Sequence, residues 1–253
     1  MMFITCIPTF SGMRILIVQD ERPQMDVLAA FLREKGGTEE LVIEQHEIPA
    51  DLNVYEAVLL YIHGALDERV ELAVIDYARS GGKLILLHHS ISSGKAKNEF
   101  FFDFLGIRLD DVGHAREPVQ PGGGYAWIEP VTVELVKLNS HHFITSPEVV
   151  WPDTVSYASS DQPSVERETP AIILPKAEAY LNHKFTDGRD KTVLMGFKFF
   201  DHRNGQMFMQ DRAAWLKPAE RGWIFYFQPG HSVLDYQNSA VSQVILNAIL
   251  WRP

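Results

Sequence analysis

A chain of 253 residues, 46% hydrophobic and 22% charged, is long enough to bury a substantial core as one large domain or two small ones. Its formal net charge of -10 leaves no generalised basic surface for phosphate backbones or anionic lipid, which argues against nucleic acid and membrane as partners. The one cysteine, Cys6, has no partner for an internal disulfide, and no stretch approaches the roughly 20 apolar residues needed to cross a bilayer, so a cytoplasmic setting is expected.

Residues 1–12, MMFITCIPTFSG, lack the basic start and long hydrophobic run of a secretion signal; they read as an amino-terminal extension, with Met13 as a second candidate start. The first strand is RILIVQDE, Arg14 to Glu21, and Pro23 then suits the first turn of a helix. That helix runs from Gln24 to Lys35, with Val27, Leu28, Phe31 and Leu32 on one face and Gly36-Gly37 as its stop. LVIEQHEI alternates as a strand, and YEAVLLYIHG is a buried strand ending on His63. Val70, Ala73, Val74, Tyr77 and Ala78 have helical spacing and place a helix over Asp67 to Ser80, closed by Gly81-Gly82. GGKLILLHHSISSG follows: a short aliphatic run that ends on His88 and His89 and dissolves into serines.

The middle is less regular. Phe100 to Leu105 reads as a short helix, DDVGHAREPVQPGGGYAW as a long loop with a glycine-rich tip, and VTVELVKL as a strand. Between Asn139 and Asp187 short strands and turns are expected, because Pro147, Pro152, Pro163, Pro170 and Pro175 interrupt longer elements. FKFFDHRNG ends in an Asn-Gly turn, GWIFYFQPGHS is a buried strand ending on His231, and Gln237 to Trp251 closes the chain as an amphipathic helix. Strands alternating with amphipathic helices predict an α/β fold: a mostly parallel central sheet with helices on both faces, in a single domain over residues 13–253.

Ligands of such sheets bind beyond the carboxyl ends of the strands, and that is where His63, His89 and His231 fall. Any one of these rings could simply hydrogen-bond a neighbouring backbone group; three strand ends on the same residue type point to a site. Adjacent side chains in a strand diverge, so of His88 and His89 the latter, nearer the turn, is expected to face the pocket, and of His141 and His142 at most one. Imidazole serves as general acid or base near neutral pH and, when neutral, as a metal ligand. His63, His89 and His231 are therefore also candidate ligands of a divalent metal such as zinc, assembled from distant strand ends because no Cys-x-x-Cys or His-Glu-x-x-His spacing occurs. Ser90 lacks the flanking glycines of a nucleophile elbow, with His88 and Ser92 in their places, and reads as a loop hydroxyl whose neighbouring amides could hold ligand oxygens.

The closing run RGWIFYFQPGHSVLDYQNSAVSQVILNAILW, with Asn247 and Trp251 in its helix, resembles the end of the ThuA-like family, named for trehalose utilisation. The resemblance extends through YIHGALDERVELAVIDYARSGGKLILLHHS, FFDFLGIRLDDVGH with His114, and HHFIT, where Phe143 replaces the usual proline. It implies a flavodoxin-like three-layer sandwich of the class I glutamine amidotransferase type. It does not imply glutaminase chemistry, since the elbow that holds a cysteine in amidotransferases here holds His89-Ser90. PDTVSYAS leaves Tyr157 without the acidic pair that precedes the family's tyrosine.

The expected protein is thus a carbohydrate-utilisation enzyme with His89 and His231 as catalytic groups. His63, Ser90, His114, His142 and Tyr157 are the expected contacts to a small-molecule sugar. The alternative is a non-catalytic carbohydrate-binding or regulatory protein, for which Tyr125, Trp127 and Tyr236 are candidate stacking platforms. A homo-oligomer is compatible with either.

Overall fold

The computed structural model describes residues 12–110, 123–159, 163–187 and 191–253. In chain order its main elements are β1 (Met13–Gln19), α1 (Arg22–Gly36), β2 (Thr38–Ile43), β3 (Ala57–Tyr61), α2 (Glu68–Arg79), β4 (Lys83–Leu87), α3 (Glu99–Leu105), β5 (Ile107–Arg108), β6 (Ala126–Lys137), β7 (Asp153–Ala158), β8 (Glu166–Leu181), β9 (Lys184–Phe185), β10 (Thr192–Asp201), β11 (Gln206–Ala219), β12 (Gly222–Phe227), α4 (Val233–Gln237) and α5 (Ser239–Leu250). Cys6 and His114 lie outside the described residues.

Ten strands form one sheet in the order β2-β1-β3-β4-β12-β11-β10-β6-β8-β7. From β2 to β12 all neighbours are parallel. From β12 to β7 all are antiparallel. The expected interior strands at 14–18, 57–61, 84–87 and 224–227 make up most of the parallel half, but the expectation of a mostly parallel sheet is corrected: the sheet is mixed and largely antiparallel. The burial pattern explains the division. Leu59, Leu60, Leu84 and Leu86 are fully buried on strands covered on both faces, whereas β6 alternates between buried and half-exposed residues, the period of an antiparallel sheet with one wetter face.

Helices cover the parallel half as two layers. Met25, Leu28 and Leu32 of α1 join Val241, Val244 and Ile245 of α5 on one face. Val70, Val74 and Tyr77 of α2 join Phe101 and Leu105 of α3 on the other. Gly37, left-handed at φ 62°, ends α1 by donating its N–H to the Arg33 carbonyl, as the Gly-Gly stop predicts.

The proline-rich middle is also more regular than expected, because β8 runs for 16 residues through Pro170 and Pro175. Pro170 precedes Ala171, where β8 acquires β6 as a second neighbour. Pro175 sits at a bulge, between the pairs Val133 with Leu174 and Val131 with Ala177, beside Lys176 at φ 56°. A bulge leaves a residue outside the ladder, so the missing N–H breaks no strand hydrogen bond there. No described helix is long and apolar enough to cross a membrane.

Candidate functional site

A cavity of about 160 Å³ opens at the carboxyl ends of the parallel strands, lined among others by Glu21, His63, His89, Trp127, Glu178 and His231. Glu21 follows β1, His63 follows β3, His89 follows β4 and His231 follows β12, so four strand ends converge there. Local backbone contacts fix each one. Asp20 accepts the N–H groups of His63 and Gly64 at 2.8 to 3.1 Å. Tyr61 donates its hydroxyl at 2.7 Å to the carbonyl of Gly230, whose own φ of 133° suits glycine. The serine loop closes tightly over β3: a Cβ on Gly94 would fall 2.2 Å from the His63 carbonyl oxygen. Fully buried Lys95 turns its ammonium onto the carbonyls of Ile62, His63 and His89, tying two histidine-bearing strand ends together.

His88 resolves the paired histidines in an unexpected way. The strand stops at Leu87, and His88 adopts φ 47°, so the elbow's left-handed residue is His88 rather than His89-Ser90. That turn breaks the alternation of a strand and lets both rings reach one cluster, with centroids 4.8 Å apart. His88 stays behind the cavity wall, with Nδ1 2.6 Å from the Gln228 carbonyl and Nε2 2.8 Å from Glu178 Oε2. The carbonyl only accepts, so Nδ1 carries a proton, and a second proton must lie between Nε2 and the carboxylate.

Glu178 is the hub of this cluster. Its Oε2 also takes the Tyr180 hydroxyl at 2.9 Å and His231 Nδ1 at 3.1 Å. Burial alone would raise its pKa, but the hydrogen bonds from His231 and His88, with their charge, pull it down to about 2. His231 Nε2 lies 2.7 Å from Glu129, so the ring stands between two carboxylates. The Glu178 hydrogen bond raises its pKa against burial, and the charges of Glu178, Glu129 and Asp235 add to the rise.

A second cluster faces the first across the cavity. His63 Nδ1 is 3.6 Å from Glu21 Oε1, His89 Nε2 is 3.9 Å from Glu21 Oε2, and the two rings stack with centroids 4.7 Å apart. His89 is 2% exposed, and its Nε2 has no hydrogen-bond partner among the described residues. Burial, reinforced by His88, Lys95, His63 and His231, pushes its pKa far below the ordinary histidine range, so the ring is neutral and keeps a lone pair. One cavity therefore holds an imidazole whose charged form two carboxylates favour and another whose charged form burial disfavours.

His63, His89 and His231 all line the cavity, but in two clusters: His63 and His89 lie with Glu21, and His231 lies with His88 and Glu178, so these three do not form a single set of ligand atoms. Ser90 is fully buried with its hydroxyl donated to the Leu60 carbonyl, and it does not line the cavity. His142 packs near Trp251, beyond the carboxyl end of α5, and Tyr157 donates to Asp211 from β7 at the sheet's edge. Sequence reading passed over Glu21, Glu129, Glu178, Tyr180 and Lys95. The strand alternation offered a signal: Trp127 and Glu129 lie two apart along β6, with Tyr125 just before it in the same spacing, Glu178 and Tyr180 lie two apart along β8, and all five line the cavity. Of the proposed platforms, Trp127 and the buried Tyr125 line it, while Tyr236 is buried and does not.

Comparison with known proteins agrees with this architecture. No curated protein matches the chain. A putative ThuA-like protein from Bacteroides uniformis superposes with a TM-score of 0.60 at 12% identity, over 96% of this chain and 93% of that one. A β-galactosidase from Bacillus circulans sp. alkalophilus superposes at 0.52 with 10% identity, and a GH42 β-galactosidase from G. stearothermophilus at 0.50 with 12%. These matches cover 92% and 95% of this chain but only 30% of each galactosidase, and at such identities they establish shared fold alone. The family model for ThuA, described as trehalose utilisation, matches residues 14–252, and the chain therefore belongs to the ThuA family.

Proposed function

We propose that this protein is a sugar-processing enzyme of carbohydrate utilisation, with His231 as general acid and His89 as the electron-pair donor of the same pocket. The observation that carries the reading is the opposed tuning of those two imidazoles: His231 stands between Glu178 and Glu129, whose hydrogen bonds and charge favour its protonated form, while burial disfavours the charged form of His89. Environments that push two titratable groups apart mark an acid and its counterpart, whereas a site that only binds needs no such pair. Trp127 supplies a face on which a sugar ring stacks, and Glu129 supplies an acceptor for a hydroxyl. A cavity of about 160 Å³ suits one sugar unit better than an extended chain.

The test is an NMR screen of mono- and disaccharides, trehalose included, for chemical change by the purified protein. Substitution His231→Ala should keep sugar binding and lower turnover by about 10²- to 10⁴-fold, the usual worth of a positioned acid. Sugars that bind the wild-type protein and emerge unchanged would select the non-catalytic carbohydrate-binding reading instead.

A further inference from the structure

We propose that Glu21, His63 and His89 form a binding site for one divalent transition-metal ion, zinc being the probe of choice. The proposal rests on the same cavity being functional, but it is read out by metal binding rather than by sugar chemistry. Three independent features support it. One ligand atom from each residue lies within 4.8 Å of the others, with His63 Nδ1 3.6 Å from Glu21 Oε1 and His89 Nε2 3.9 Å from the other carboxylate oxygen, Oε2. These separations are too long for good hydrogen bonds. They are close to the roughly 3.3 Å between two ligands that share a tetrahedral ion at about 2.0 to 2.1 Å.

The second feature is the unpartnered Nε2 of His89. A buried ring nitrogen facing a cavity with no hydrogen bond is rare in a folded protein, and this one points toward a carboxylate that it does not reach. A cation between them would satisfy both. The third feature is the support behind the ligands: Asp20 holds the His63 backbone through its N–H, and Lys95 holds the His63 and His89 carbonyls. Such outer contacts orient metal ligands and are part of a site's design.

The neighbouring cluster of His88, Glu178 and His231 also brings three ligand atoms within 4.8 Å. It differs in kind. Its two imidazoles already meet one carboxylate oxygen at 2.8 and 3.1 Å, and Nδ1 of His88 is committed to Gln228, so this cluster shares protons. Two imidazoles and one carboxylate suit zinc and also ferrous iron, and three protein ligands leave a position open toward the cavity for water or a sugar oxygen.

The experiment strips the full-length protein with a chelator, then titrates zinc by calorimetry and cobalt by visible absorption. One ion should bind per chain. His89→Ala should weaken binding at least 100-fold and Glu21→Gln at least tenfold, while His142→Ala and His231→Ala change it less than threefold. Circular dichroism identifies any variant that unfolds, and Glu21→Gln, at a half-exposed position, keeps the test intact if His89→Ala does so. Zinc binding equal in the wild type and Glu21→Gln, or lost in His231→Ala and kept in Glu21→Gln, would overturn the site. Zinc bound as expected without any sugar turnover would leave it standing and remove the acid role of His231; turnover without zinc binding would do the reverse.

Discussion

Replacing Glu178 by glutamine keeps its shape and removes the charge on which His88, His231 and Tyr180 converge. The magnitude follows from the fall of its pKa from the ordinary 4.5 to about 2. A difference of roughly 2.5 pH units corresponds to about 3 kcal/mol of stability, and with the group only 9% exposed little of that is lost to solvent screening. The unfolded carboxylate takes up its proton below pH 4.5 and the folded one only near pH 2, so the unfolded state binds more protons in that window. The contribution is therefore complete above pH 4.5 and lost as pH falls, with about 2 kcal/mol of it gone by pH 3. Urea unfolding at pH 7 should show Glu178→Gln less stable than wild type by up to about 3 kcal/mol, and the gap should narrow between pH 4.5 and pH 3. His231 should also titrate lower in the variant by NMR, since its largest raising influence is gone. A gap that stays constant with pH would refute the assignment of Glu178 as the charged hub.

Other substitutions probe other parts of the pocket and its surroundings. Trp127→Ala should raise KM for the sugar about tenfold with kcat little changed, because a stacking wall acts on bound substrate and transition state alike; a fall in kcat alone would contradict it. Ser90→Ala should keep turnover within about threefold, since that hydroxyl is spent on the Leu60 carbonyl; loss of all turnover would revive a serine nucleophile. Tyr157→Phe, which removes a buried hydroxyl bonded to Asp211, should cost about 1 to 3 kcal/mol in chemical denaturation and leave turnover unaltered.

The parallel half and its reactive rim were legible in the sequence because both rest on local patterns. Runs such as AVLLY and, after Lys83, LILL have no polar alternation, which only strands covered on both faces tolerate, and Gly-Gly breaks mark where the helices end. The polar residue after each run then falls on the rim by chain geometry alone. Glu178 was not legible for the opposite reason. Its position depends on a bulge at Pro175 and on pairing with a distant strand, β6, where the flanking Ala177 and Ala179 meet Val131 and Ile128, and a bulge shifts which face a residue takes. His88 escaped because alternation holds only while the strand lasts, and one left-handed residue undoes it.

The seam between β12 and β11, where the sheet turns from parallel to antiparallel, separates two sources of the same pocket. Three of its histidines and Glu21 come from the half built of strand, helix and strand, and its aromatic wall and two further carboxylates come from β6, β8 and the residues beside them beyond the seam. Such a division lets ligand preference drift independently of reactivity: substitutions along β6 and β8 would reshape what the pocket admits while the imidazole rim stays in place. Diversification in a lineage with this arrangement should accordingly concentrate on Tyr125, Trp127, Glu129 and Tyr180, so that one reactive floor serves under many different walls.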